Sequence, residues 1–155
     1  MVRNYPETVV EVLDDEITYP DELLCVMRIF SAAKPWSGST QSRKRKFSDV
    51  TRMMATACQI DEPTLTFGSL DEGSSGSSFY SPGEHRITLT GKLSVVTFLH
   101  EFAHAMQMDE KDACKWSINL FRRCFPKQYS RLVHVGHTLI RPQDVRRKIG
   151  NEHVV

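Results

Sequence analysis

The chain has 155 residues, of which 40% are hydrophobic and 25% are charged, and its formal net charge is +1 at pH 7. These values predict one globular domain with a proper core, and they exclude a strong overall attraction to nucleic acids or membrane surfaces. The four cysteines form no Cys-x-x-Cys pair, which argues against a zinc ribbon or a disulfide scaffold. The cysteine pattern fits a reduced, intracellular setting, and no apolar run has the length of a signal-peptide core or a membrane span, so we expect a cytoplasmic protein without membrane contact.

The first part of the chain predicts helices. A weak pattern suggests a short helix over residues 6–14, beginning at Pro6. A stronger pattern begins at Pro20, with acidic residues in the first turn, and ends at Lys34-Pro35. We therefore expect at least one well-formed helix before the middle of the chain.

Residues 36–46 are predicted as a polar loop, followed by a helix with Ser48 as its N-cap. The loop contains the basic run Arg43–Lys46, which is typical of nucleic-acid contacts and nuclear localisation signals. Short charge runs more often belong to a solvated surface next to a helix. A nucleic-acid partner is therefore possible through this run but not favoured.

After Pro63 the hydrophobic pattern changes from a helical to an alternating period. Residues 64–67, 78–80 and 85–90 predict three short strands, and residues 68–77 predict a loop rich in glycine and serine. The expected fold class is α+β, with N-terminal helices, a small three-stranded mixed or antiparallel sheet and further helices after it.

The next predicted helix contains the most specific motif of the chain, His100-Glu101-Phe102-Ala103-His104, which has the pattern H-E-x-x-H. Ser94 is its expected N-cap, and a buried stripe is predicted at four positions: Val96, Leu99, Ala103 and Met106. Residues four apart lie on the same helix face, so His100 and His104 could bind one Zn²⁺. Glu101 could then accept a proton from a water bound to that metal.

The motif could also arise by chance, in which case the protein would be a small α+β domain without a metal. Its position on an amphipathic helix directly after a predicted strand favours the metal site. Downstream, Asp109 is expected to cap another helix that extends to about Cys124. Residues 129–135 predict a short helix or strand. We expect one domain over residues 1–140 and a basic C-terminal tail over residues 141–155.

With this motif and this order of elements, the chain resembles the zincin metallopeptidases. It is most similar to small gluzincins of the ImmA/IrrE type and more loosely to SprT-like proteins, over residues of about 64 to 117. The resemblance implies a minimal zincin-like domain that hydrolyses peptide bonds of an intracellular protein or peptide substrate, as an endopeptidase. It also implies that an edge strand pairs with the substrate, that His100 and His104 bind zinc, and that Glu101 is the general base.

The third zinc ligand is left open by the sequence. Metzincins place a histidine six residues after the second histidine, but here that residue is Glu110 and no glycine lies between, so we reject that class. Gluzincins take a glutamate from the following helix, and Glu110-Lys111-Asp112-Ala113 has the expected composition, although its distance from His104 along the chain is short. The resemblance therefore implies Glu110, with Asp112 and His137 as alternatives.

Peptide hydrolysis also needs a second donor, besides zinc, to stabilise the tetrahedral oxyanion. The sequence does not choose among four candidates for this role: Tyr80, His85, Tyr129 and His134. The alternative function is a catalytically silent zinc-binding or DNA-associated regulatory module with the same fold. The intact Glu101 favours the peptidase, because a module that only binds zinc does not need a base beside the metal.

Overall fold

The computed structural model describes residues 12–70, 77–136 and 138–145. Most of the predicted helix over residues 6–14 lies outside this part of the chain. The described helices are α1 (Asp21–Ala32), α2 (Thr40–Ala57), α3 (Val95–Ala105), α4 (Glu110–Cys124) and α5 (Pro126–Ser130). The described strands are β1 (Thr64–Phe67), β2 (Phe79–Ser81), β3 (Arg86–Leu89), β4 (Val133–Val135) and β5 (Thr138–Ile140), followed by a 3₁₀ turn at Pro142–Asp144. The predicted α+β class and the predicted order of elements are confirmed.

Helix α3 lies at the centre of the core. The ring of its Phe98 packs edge-to-face against Phe30 of α1 and Phe47 of α2, at centroid distances of 6.3 and 5.4 Å. Phe102 on the same helix is fully buried, as are Leu99 and Ala103 of the predicted stripe, whereas its other two residues, Val96 and Met106, are only partly buried. Burial of this wide apolar face fixes the rotation of α3. The two histidines of the motif therefore lie on the opposite, partly exposed side.

The three-stranded sheet has the order β1-β3-β2, so β2 is an edge strand. Strand β3 pairs in parallel with β1 and antiparallel with β2. Ile87 and Leu89 of β3 are buried in the core, which places the sheet against α3. The order of the strands leaves one side of β2 without a strand partner among the described residues.

The prediction of a loop over residues 36–46 is wrong from Thr40 onward. Helix α2 begins there with Ser39 as its N-cap, and the Ser39 hydroxyl accepts a hydrogen bond from the backbone N–H of Ser42 at 3.1 Å. Ser48, the predicted cap, is an exposed residue within the helix. The whole basic run, Arg43–Lys46, is therefore helical rather than part of a polar loop.

The helical conformation gives two basic side chains a structural role. The Arg43 guanidinium donates to the carbonyl oxygens of Pro35 and Leu93, both at 2.7 Å. The Lys46 ammonium donates to the carbonyl oxygens of Lys34 and Ser37, at 3.1 and 3.0 Å. These bonds tie the segment between α1 and α2 to the helix, and Arg43 also holds the segment that leads into α3.

The C-terminal part contains both elements that the sequence left open for residues 129–135. Helix α5 ends at Ser130, and β4 pairs antiparallel with β5. Asp144, within the predicted tail, accepts hydrogen bonds from Arg141 at 2.8 Å and from Lys92 at 3.0 Å. None of the described helices has the length and apolar character needed to cross a membrane.

Candidate metal centre

The motif helix and the following helix meet through a very short connection. Gln107 adopts a left-handed backbone conformation with φ of +72°, and the Met108 N–H bonds back to the carbonyl oxygen of Ala103 at 3.1 Å. Asp109 then caps α4 as predicted, accepting from the Asp112 N–H at 2.8 Å. This sharp reversal turns the first residue of α4, Glu110, back toward the histidines of α3.

Three predicted ligand side chains converge between the two helices. The Nε2 atoms of His100 and His104 are 3.1 Å apart. The Glu110 carboxylate lies 3.2 Å from His100 Nε2 through Oε2 and 2.9 Å from His104 Nε2 through Oε1. With metal–ligand bonds of 2.0 to 2.2 Å, tetrahedral geometry places nitrogen and oxygen ligands about 3.3 Å apart. The observed spacing and the chemistry of the donors therefore fit a zinc ion.

The backbone around His104 determines which ring nitrogen faces the cluster as an acceptor. Its Nδ1 lies 2.9 Å from the carbonyl oxygen of Met108. Because a carbonyl oxygen only accepts, Nδ1 carries the proton and donates this bond. In a neutral ring, the lone pair of Nε2 would then be the one available to a metal held between His104, His100 and Glu110. Hydrogen bonds from the outer ring nitrogen to a backbone carbonyl orient metal-binding histidines.

Glu101 lies next to these groups on α3 and is 8% exposed. It lines the same cleft, which has a volume of about 740 Å³. The walls of the cleft come from β2, α3, the first two turns of α4, and β5. The site can therefore hold a metal, a base and an extended ligand in one partly open space.

The alternative third ligands differ in their positions. Asp112 is exposed and does not line the cleft, because it lies on the outer side of α4. His137 lies outside the described residues. The structure thus brings Glu110, and not Asp112, to the two histidines.

Among the four candidates for oxyanion stabilisation, Tyr80 lines the cleft. Its hydroxyl lies 2.6 Å from Nδ1 of His85, whose Nε2 donates to the carbonyl oxygen of Asp61 at 2.8 Å. Partial burial raises the pKa of Tyr80 above its ordinary value, so the hydroxyl keeps its proton and donates to His85.

Tyr129 and His134 are hydrogen-bonded to each other, with the Tyr129 hydroxyl 2.6 Å from His134 Nε2, and neither residue lines the cleft. Burial, and then the positive charge of Arg122, lower the pKa of His134. Of the four candidates, Tyr80 is therefore the one whose position in the cleft allows contact with a substrate.

The sequence analysis missed Cys114. This residue is 4% exposed and lies one helical turn after Glu110. The ligand atoms of His100, Glu110 and Cys114 all lie within 4.8 Å of one another. Burial, together with the negative charges of Glu110, Glu101 and Asp109, raises the pKa of the Cys114 thiol to about 12. The spacing of four residues from Glu110 was the signal that could have found it.

In comparisons with known proteins, no family model, no curated protein and no solved structure matches this chain.

Proposed function

We propose that this protein is a zinc-dependent metallopeptidase that hydrolyses peptide bonds in protein or peptide substrates. The observation that carries the proposal is the convergence of His100, His104 and Glu110 at distances suited to one zinc ion, with Glu101 beside them in a cleft. Three protein ligands and an open side are the arrangement of catalytic rather than structural zinc sites. The expected location in the cytoplasm rests on the cysteine pattern of the sequence.

In this proposal His100, His104 and Glu110 hold the ion. A zinc ion in such a site supplies a Lewis acid that polarises the substrate carbonyl and makes water a better nucleophile. Glu101 accepts the proton of the attacking water and transfers it to the leaving amine. The Met108 carbonyl keeps His104 in the tautomer that binds a metal. Tyr80, the oxyanion candidate that lines the cleft, would have to give up its bond to His85 to donate to substrate.

The edge strand β2 supports an extended polypeptide as the substrate. Ser78, Phe79 and Tyr80 line the cleft, and β2 has a strand partner only on its β3 side within the described sheet. An added strand can use the remaining row of backbone groups and present its scissile bond to the metal. The Phe79 side chain is 49% exposed and offers an apolar contact for such a strand.

The Glu101→Gln variant tests the proposal. It keeps the size of the side chain and removes the base, so we expect unchanged zinc content and a rate of cleavage reduced by about 10²- to 10⁴-fold. The measurement is mass spectrometry of a diverse peptide library incubated with zinc-loaded wild type or variant. Equal cleavage by both proteins, or no cleavage by the zinc-loaded wild type, would contradict the proposal.

The second candidate is a catalytically silent zinc module, and one observation favours it. The sulfur of Cys114 lies near the cluster, and a fourth protein ligand is typical of closed, structural zinc sites. A DNA-associated role through the basic run has less support, because Arg43 and Lys46 are bonded to backbone carbonyls. The library experiment separates the silent module from the peptidase.

A further inference from the structure

The metal-binding cluster contains a sulfur atom that the proposed peptidase chemistry does not use. The Cys114 side chain lies within the cleft, and its sulfur, His100 and Glu110 offer ligand atoms within 4.8 Å of one another. In a tetrahedral zinc site, a sulfur at about 2.3 Å and a nitrogen at about 2.05 Å from the metal lie about 3.6 Å apart. A movement of about 1.2 Å or less therefore brings the Cys114 sulfur to the separation from the His100 nitrogen that two ligands have in such a site.

Helix geometry gives Cys114 the correct direction. Residues 110 and 114 are four apart on α4, so their side chains lie on the same face, toward α3. Helices α3 and α4 pack against each other, and the neighbouring residues Ala113 and Ser117 are buried. Thiolate sulfur, imidazole nitrogen and carboxylate oxygen are all ordinary zinc ligands. His100 and Glu110 thus belong to two possible sets of metal ligands, one completed by His104 and the other by Cys114.

We propose that Cys114 is a fourth protein ligand that closes the metal site in a resting state, and that its sulfur leaves when substrate enters. The inference rests on the proposed metal site and adds a form of regulation to it. When the sulfur–metal bond forms, the thiol releases its proton to solvent. When that bond breaks, the thiolate takes up a proton from solvent and leaves an open position for water. The number of protein ligands then distinguishes the resting form from the active form.

Cobalt is the probe that tests this ligand directly. A bond between Co²⁺ and thiolate gives a strong near-ultraviolet charge-transfer absorption, which nitrogen and oxygen ligands do not give. We expect this absorption in the wild type with one equivalent of Co²⁺ and its loss in Cys114→Ser. The matched control is Cys124→Ser, on the same helix but outside the cleft, which should keep the absorption.

A second variant covers the possibility that Cys114→Ser fails to fold. The chain has four cysteines, so the combined variant Cys25→Ser, Cys58→Ser and Cys124→Ser leaves Cys114 as its sole thiol. Charge-transfer absorption in this variant supports the inference. Visible cobalt bands without charge transfer in the wild type would overturn the inference and leave the peptidase proposal standing. No cobalt binding at all, together with no zinc binding, would overturn both.

The proposed regulatory role of Cys114, closing the metal site in the resting state, is tested separately in the peptide-library assay. Because serine is a poorer zinc ligand than thiolate, Cys114→Ser should favour the open form and cleave several-fold faster than the wild type. An unchanged or lower rate in a folded variant that has lost the charge-transfer absorption would overturn the resting-state role. If neither protein cleaves any peptide, the peptidase proposal fails and the resting-state role fails with it, while the cobalt spectra still decide whether Cys114 is a ligand.

Discussion

At the scale of single residues, the choice between Glu110 and Asp112 shows which parts of the metal site can be predicted from the sequence. The motif residues His100, Glu101 and His104 follow from helix periodicity, because their spacing places them on or beside one face. The third position depends instead on how α4 is turned relative to α3. That rotation is determined by the left-handed conformation of Gln107, which no propensity predicts for a glutamine.

The prediction at this scale concerns zinc affinity. Glu110→Gln replaces a negatively charged metal ligand, whose oxygens lie 2.9 to 3.2 Å from the Nε2 atoms of both histidines. We therefore expect zinc to bind at least about 10-fold more weakly. Asp112→Asn is the matched control and should bind zinc like the wild type, because Asp112 is exposed and outside the cleft. Competition with a chromophoric chelator measures both affinities. A larger loss in Asp112→Asn would reverse the assignment.

Cys114 was missed for a related reason. Its spacing from Glu110 is visible in the sequence, but an isolated buried cysteine behaves like a small apolar residue in most cores. Only the packing of α4 against α3 places its sulfur near His100. The sequence therefore predicts the residue types of a metal site better than it predicts which of them meet.

At the scale of elements, the sequence predicts strands and helices well where their end signals are distinct. Ser94 and Asp109 cap α3 and α4 as expected. The start of α2 was misplaced because both Ser39 and Ser48 are good caps, and only tertiary contacts distinguish them. Carbonyl groups from residues 34–37 and from Leu93 come close to the basic run in space, although Leu93 is remote along the chain. These contacts stabilise the helical form.

The prediction for this element concerns Arg43. Its partly buried guanidinium has a lowered pKa caused by burial and bonds two carbonyl oxygens. Arg43→Met should reduce the free energy of unfolding by about 1.5 to 3 kcal/mol, because those acceptors lose a charged donor. Arg45→Met, in the same run but exposed, should change it by less than about 0.5 kcal/mol. Urea denaturation measures both, and equal effects would show that Arg43 has no structural role.

At the scale of the whole molecule, composition correctly predicts a buried core and the hydrophobic patterns correctly predict the α+β class, but neither predicts how the parts are held together. The aromatic contacts among α1, α2 and α3 and the parallel pairing of β1 with β3 join segments that are distant in sequence. Asp144 provides another such link, because it bonds Lys92 before α3 and Arg141 after β5.

This link predicts a dependence of stability on pH. The hydrogen bonds from Arg141 and Lys92 lower the pKa of Asp144 from 3.8 to about 2. A carboxyl group with a depressed folded-state pKa stabilises the protein fully above its unfolded pKa, and this contribution is lost as the pH falls from about 4 to about 2. Asp144→Asn should therefore be less stable than the wild type at pH 6, with the difference shrinking at acid pH. A difference that is constant with pH in denaturant titrations would contradict this account.

The central claim is that the two histidines of α3 and Glu110 of α4 bind one zinc ion. Elemental analysis of the purified, untagged protein tests it most directly, with His100→Ala measured alongside and Asp112→Asn as the control. We expect about one zinc per chain in the wild type and the control, and none in His100→Ala, because the ion would lose one of its three ligands. Absence of zinc from the wild type, even after incubation with a slight excess of the metal, would contradict the claim and reduce the H-E-x-x-H motif to a coincidence of helix composition.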